Sequence, residues 1–164
     1  MIEIKEALPN EYNIIQHIAY KTWPVTYAGI LSQPQLDYML NLFYALPALN
    51  KNTEDGHHFL IARDGGEPVG FAAIEHNYWG RNATRIHKIY VLPESQGKGV
   101  GKELIQTISL LAIKQNATAL SLNVNRSNNA REFYTALGFT IVGSEDVPLE
   151  HGYLMEDFIM EKPL

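Results

Sequence analysis

The chain has 164 residues, 46% hydrophobic and 19% charged, with a formal net charge of −5. That length suits a single domain, residues 1–164, able to bury a proper core. The acidic balance leaves no basic stripe for nucleic acid, and the lack of cysteine excludes disulfides, thiolate nucleophiles and cysteine-ligated zinc.

No apolar run approaches the ~20 residues that cross a bilayer, so no membrane association is expected. The N-terminus, Met1-Ile-Glu-Ile-Lys-Glu6, lacks the basic and apolar segments of a secretory leader, and a cytoplasmic location is expected.

Residues 2–8 alternate like a strand. Pro9 opens a helix expected to reach about Thr22, with Ile14, Ile15 and Ile18 on one face and Pro24 as its stop. Ser32-Gln-Pro34 places a capping hydroxyl before a first-turn proline, and Leu36, Met39, Leu40 and Phe43 follow at helical spacing. Residues 58–63 and 68–76 read as two strands joined by the hairpin turn Asp64-Gly-Gly-Glu67.

A third strand covers 84–92. After it, Val100, Leu104, Ile105, Ile108, Leu111 and Ala112 form a helical stripe. Residues 118–124 return as a strand. Ala130, Phe133, Tyr134 and Leu137 mark another helix with Gly138 as its C-cap, and strands follow at 139–143 and about 152–161. The order β-α-α-β-β-β-α-β-α-β-β predicts an α/β fold, a mixed central sheet flanked by helices, with a parallel crossover through the helix at 100–115.

The richest stretch is Ile86-His-Lys-Ile-Tyr-Val-Leu-Pro-Glu-Ser-Gln-Gly-Lys-Gly-Val-Gly-Lys102, a strand entering a loop with glycines at 97, 99 and 101. Such a loop at a helix N-terminus turns several N–H groups toward one anion. A Walker loop is ruled out because Glu103 stands where a serine or threonine is needed. The Gly-x-Gly-x-Gly spacing, deep in the chain and without a later ribose-binding acid, also departs from the dinucleotide fingerprint.

Gln96-Gly-Lys-Gly-Val-Gly101 resembles the Gln/Arg-x-x-Gly-x-Gly/Ala motif of the GCN5-related N-acetyltransferases. Tyr90-Val-Leu-Pro-Glu94 and the later run from Asn125 to Tyr134 with Leu137-Gly-Phe139 are similar to the same superfamily, and so is the element order. Ser127 departs from the asparagine that many members place seven residues before the tyrosine; Asn128 follows it. Thr22 to Ser32 and His151 to Met160 further resemble the Pai-type polyamine acetyltransferases of bacteria.

The resemblance implies acetyl-CoA as cosubstrate. Gln96, Gly97, Lys98, Gly99, Val100, Gly101 and Lys102 would cradle its pyrophosphate, and the backbone of Tyr90, Val91 and Leu92 would pair with its pantetheine arm. Tyr134 would be the general acid that stabilises or protonates the departing thiolate. Asn125 would face the pantetheine or the acceptor, and Asn128 would either contact the cofactor or cap the next helix.

For the base, the residues offer His87, expected on the same strand face as Ile89, and Glu75 on the neighbouring strand. The resemblance places Tyr27, Asp37, Tyr38 and Glu156 around the acceptor. It implies a polyamine or similar small amine, attacking directly because no cysteine can carry the acetyl group. A protein N-terminus, a protein lysine, an aminoglycoside-like amine or a non-catalytic acyl-CoA sensor remain open alternatives. His57 and His58, adjacent on a strand, should point to opposite faces with no third ligand near, so no metal is expected. Trp23 and Trp79 are expected to pack in the core or a lid. Strands in such folds often pair between subunits, which allows a homodimer.

Overall fold

The computed structural model describes residues 1–164. In chain order it contains β1 (Ile2–Glu6), α1 (Tyr12–Thr26), α2 (Gln33–Tyr44), α3 (Leu46–Glu54), β2 (His58–Asp64), β3 (Glu67–Glu75), β4 (Ala83–Val91), α4 (Val100–Lys114), β5 (Ala119–Asn125), α5 (Ala130–Ala136), β6 (Thr140–Pro148) and β7 (Leu154–Pro163). The strands form one seven-stranded sheet in the order β1-β2-β3-β4-β5-β7-β6. Only β4 and β5 run parallel; every other neighbouring pair is antiparallel.

The sheet separates two apolar clusters. On one face Leu104, Ile105 and Ile108 of α4 pack against Ala72, Ile74, Ile86, Leu120 and Leu122. On the other, Ile15, Ile18, Trp23, Leu40, Tyr44 and Leu49 of α1–α3 cover Phe59, Ile61 and Phe71. Strands buried on both faces need apolar residues at every position, which is why Phe59–Ala62 and Val69–Ile74 are continuous runs.

Three helices, not two, precede β2. Ala45 takes an extended conformation (ψ 143°), ends α2 and starts α3, whose Pro47 lies in the first turn. Only Leu49 of α3 is buried, so its polar sequence carries no apolar stripe to announce it. Pro24 does not stop α1, which continues to Thr26. In the final turn a proline forfeits one intrahelical bond without interrupting any later turn. β6 runs on to Pro148 because Ser144, Glu145 and Asp146 pair with β7 at the sheet edge, where strands need little burial.

Two irregularities create the site. First, β4 pairs with β5 only from Ala83–Ile86 against Ala119–Leu122. Beyond that point both strands continue but no longer pair with each other, so the sheet opens into a wedge. Second, Ile74 faces Ile86 while Ala73 faces Lys88, which leaves His87 as the extra residue of a β-bulge.

The bulge corrects the expected position of His87. Ile89 packs toward α4, whereas His87 stacks on His57 and Lys88 lies over Tyr44 and Phe59 on the α1–α3 side. One inserted residue breaks the two-residue period, so counting back from Ile89 gives the wrong face.

Candidate active site

The loop before α4 is built for close approach. Gly97 and Gly99 hold φ of +79° and +84°, a region that side chains disfavour. The Gln96 side-chain amide donates to the Val91 carbonyl at 3.1 Å and ties the loop back to the end of β4. The backbone N–H groups of Gly97 through Lys102 donate to no acceptor within the protein. Six consecutive free donors at the N-terminus of a fifteen-residue helix form an anion cradle.

This loop opens into a cleft of about 1200 Å³. The cleft is lined by the separated segments of β4 and β5, Tyr27 at the C-terminal end of α1, Tyr134 of α5, Glu145 of β6 and Asp157 of β7. The Tyr134 ring is buried and packs edge-on against Phe133 and Phe139. Burial pushes its phenol well above the ordinary tyrosine range, so it keeps its proton. Tyr27 and Tyr90 join their hydroxyls at 2.9 Å. Burial raises Tyr27 to about 12, with the Tyr90 hydrogen bond opposing the shift.

The floor between β4 and β7 is polar. Arg85 donates to Ser121 Oγ at 3.3 Å and lies over the Tyr78 ring, and Asn123 donates to Asp157 at 3.4 Å. Burial raises the Asp157 carboxyl, partly offset by Asn123. Arg85, Lys88, Glu145 and Asp157 were not picked out from the sequence. The available signal is the alternation in β5: Leu120, Leu122 and Val124 are buried in the α4 cluster, which turns Ser121, Asn123 and Asn125 to the opposite face.

His57, Glu75 and His87 form a cluster at the edge of this floor, and His87 lines the cleft. His87 Nε2 lies 3.0 Å and His57 Nε2 3.5 Å from the same Glu75 oxygen, with the two imidazoles stacked at 4.0 Å and 7°. His57 and His58 do point to opposite faces, His58 pairing with Glu6. However, His57 has two neighbours of ligand type, contrary to expectation; the fold brings β3 and β4 beside it. The three side chains bring one ligand-type atom each to within 4.8 Å of one another. Burial is the main cause that lowers His57 to about 4 and His87 to about 3, so both rings are neutral at pH 7.

The remaining expected residues divide. Asn125 and Asn128 line the cleft. The Asn125 side chain accepts from the Ser127 N–H at 2.9 Å, and Asn128 accepts from the Ala130 N–H at 2.9 Å, bracing the start of α5. Glu156 lies instead in a smaller pocket with Gln35 and Tyr153, and Tyr38 packs on Tyr153 and His151 nearby. Asp37 accepts from Gln33 on the exposed side of α2. Trp23 is core, whereas Trp79 is 83% exposed and stacks on Tyr78, against the expectation of packing.

The cradle and the wedge fit a ligand with a pyrophosphate at one end and an extended amide arm. The profile of the acetyltransferase (GNAT) family matches residues 13–139. The chain belongs to this family. Acetyl-CoA is the donor that GNAT enzymes use.

A spermidine N(1)-acetyltransferase of Thermoplasma acidophilum is 25% identical over 167 residues, covering 98% of this chain and 96% of that protein. An uncharacterized N-acetyltransferase of Archaeoglobus fulgidus is 33% identical over 89 residues, which is 51% of this chain and 60% of that protein, so the chain spans less than two thirds of that relative. The crystal structure of PaiA N-acetyltransferase from Thermoplasma acidophilum in complex with coenzyme A shares the GNAT fold, with a TM-score of 0.83 and 24% identity over 100% of this chain and 99% of that one. No helix is long and apolar enough to cross a membrane.

Proposed function

We propose that the protein transfers an acetyl group from acetyl-CoA to a primary amine of a small molecule, with a polyamine such as spermidine as the first choice. The carrying observation is that one cleft joins the free N–H donors of Gly97, Gly99, Val100, Gly101 and Lys102, the buried phenol of Tyr134 and the carboxylates of Glu145 and Asp157. The first feature suits a pyrophosphate, the second a leaving thiolate, and the third a cationic acceptor. The spermidine-acetylating relative and the acidic net charge support the polyamine.

Bound in this cleft, acetyl-CoA supplies an acetyl thioester. Gly97 to Lys102 hold the phosphates through backbone N–H groups, reinforced by the α4 dipole. The free edge of β4 through Tyr90, Val91 and Leu92 orients the arm, and N–H groups along it polarise the carbonyl. Tyr134, kept protonated by burial, gives its proton to the sulfur. Asp157 and Glu145 attract the ammonium, and its proton leaves through water past the His87–Glu75 pair, joined at 3.0 Å at the edge of the cleft floor. Glu156, beside Tyr153 in the smaller pocket, suits a second amine of a long polyamine. With no cysteine in the chain, attack is direct.

The test is thiol release from acetyl-CoA against spermidine, spermine, putrescine, free lysine and short peptides. Turnover confined to polyamines and strongly reduced in Asp157→Asn supports the reading. Turnover on peptides alone replaces the acceptor. Tight coenzyme binding with no turnover on any amine replaces the enzyme with an acyl-CoA sensor.

A further inference from the structure

Lys88 stands at the mouth of the wedge, two residues past the last β4–β5 pair and directly after the bulge. Its side chain is half-buried and lines the cleft together with Tyr44. The ammonium lies 5.7 Å from the ring centre of Tyr44 and 5.8 Å from that of Phe59. It makes no hydrogen bond, and no carboxylate lies within 4.0 Å of it, the range in which Lys51 and Arg63 find theirs. The buried Tyr44 hydroxyl is also without a partner.

Two other charged groups of the cleft floor are anchored: Arg85 donates to Ser121, and Asp157 accepts from Asn123. The titratable groups around Lys88 do not pair with it, and burial is the cause of its shift. His57 and His87 are neutral, Arg85 is positive, Tyr27 and Tyr44 keep their protons, and Glu75 is engaged by the two histidines. Aromatic faces solvate an ammonium less well than water does, and burial lowers Lys88 to about 8. A useful share of its side chain is therefore a free amine near neutral pH.

We infer that Lys88 is a self-acetylation site: an unpaired lysine amine placed beside the opened edge of β4, where the acetyl thioester of the proposed donor would be held. The inference rests on the acetyl-CoA reading of the cleft. The Lys88 Nζ forms a bond to the acetyl carbon, the C–S bond breaks, and coenzyme A leaves as its thiol with the proton the nitrogen sheds. The product is a neutral, bulkier amide that projects into the acceptor side of the cleft. An amide does not pass its acetyl group on, so the modification closes the site rather than serving as an intermediate.

The experiment incubates the full-length protein with acetyl-CoA in the absence of amine and maps acetyl groups by peptide mass spectrometry over time. The expected result is one acetyl group on Lys88, acquired on the order of 10-fold or more faster than on the exposed Lys98 and Lys102 at pH 8. The preference should vanish in urea. Wild type pre-incubated this way should lose amine turnover progressively, and Lys88→Arg should not. Lys88 left unmodified while spermidine or another amine is acetylated overturns the inference and leaves the transfer reading standing. Equal labelling of Lys88, Lys98 and Lys102 also overturns it. Acetylation of Lys88 with no amine turned over supports the inference and sinks the small-amine acceptor.

Discussion

The hydroxyls of Tyr27 and Tyr90 meet at 2.9 Å and join the end of α1 to the free part of β4. Trp23 packs on both rings, at 4.7 and 5.8 Å. The pair fixes the helical cover against the strand that lines the cleft. Tyr90→Phe should destabilise the fold by about 1 kcal/mol, because it leaves the Tyr27 hydroxyl without its partner. The double Phe variant should cost less than the sum of the two single changes. Urea unfolding of the four proteins checks this, and strict additivity would show that the bond carries no coupling.

Gly97→Ala and Gly99→Ala force a side chain into φ near +80°, at about 1–2 kcal/mol of backbone strain each. The loop can relieve that strain by turning its N–H groups away from the anion. Both variants should therefore raise the KM for acetyl-CoA by on the order of 10-fold. Gly56→Ala has a similar φ of +100° in the turn between α3 and β2. It should lower the melting temperature but leave that KM unchanged. A change of KM in all three would mean general loosening rather than loss of the cradle.

Tyr134→Phe removes a hydroxyl and keeps the ring contacts with Phe133 and Phe139. The melting temperature should hardly move. kcat should fall by roughly 100-fold or more if the phenol protonates the leaving thiolate, with the KM for acetyl-CoA nearly unchanged. An unchanged kcat assigns Tyr134 to packing.

The buried histidines tie stability to pH. In the folded protein His57 and His87 titrate near 4 and 3, below the ordinary value of 6.5. Between pH 6.5 and about 4 the unfolded chain binds protons that the folded chain does not. Stability is therefore fully present above pH 6.5 and falls as the solution is acidified, by up to about 1.4 kcal/mol per pH unit for each histidine. His57→Gln should flatten the acid limb of a stability profile between pH 6.5 and 4. A limb of unchanged slope would place the acid sensitivity elsewhere.

Part of the candidate site was legible along the chain as local structure. Gln96 to Lys102 are consecutive, and their chemistry depends on backbone conformation that glycine spacing reports directly. The helical spacing of Ala130, Phe133, Tyr134 and Leu137 likewise placed Tyr134 on the buried face of α5, where the structure has it. Helix α3 stayed hidden because only one of its side chains is buried, and Pro24 misled because a proline in a last turn costs little.

What the sequence determined by itself is local: the strands, every helix except α3, and the glycine loop, each set by periodicity or by a short run. Tertiary structure decided what depends on non-adjacent strands. The bulge at His87 brought that ring beside His57 and Glu75, and the parting of β4 from β5 opened the wedge. The pairing of β5 with β7 brought Asp157 to Asn123. Each is a matter of register, and a shift of one residue in pairing moves a side chain to the other face without changing a letter of the sequence.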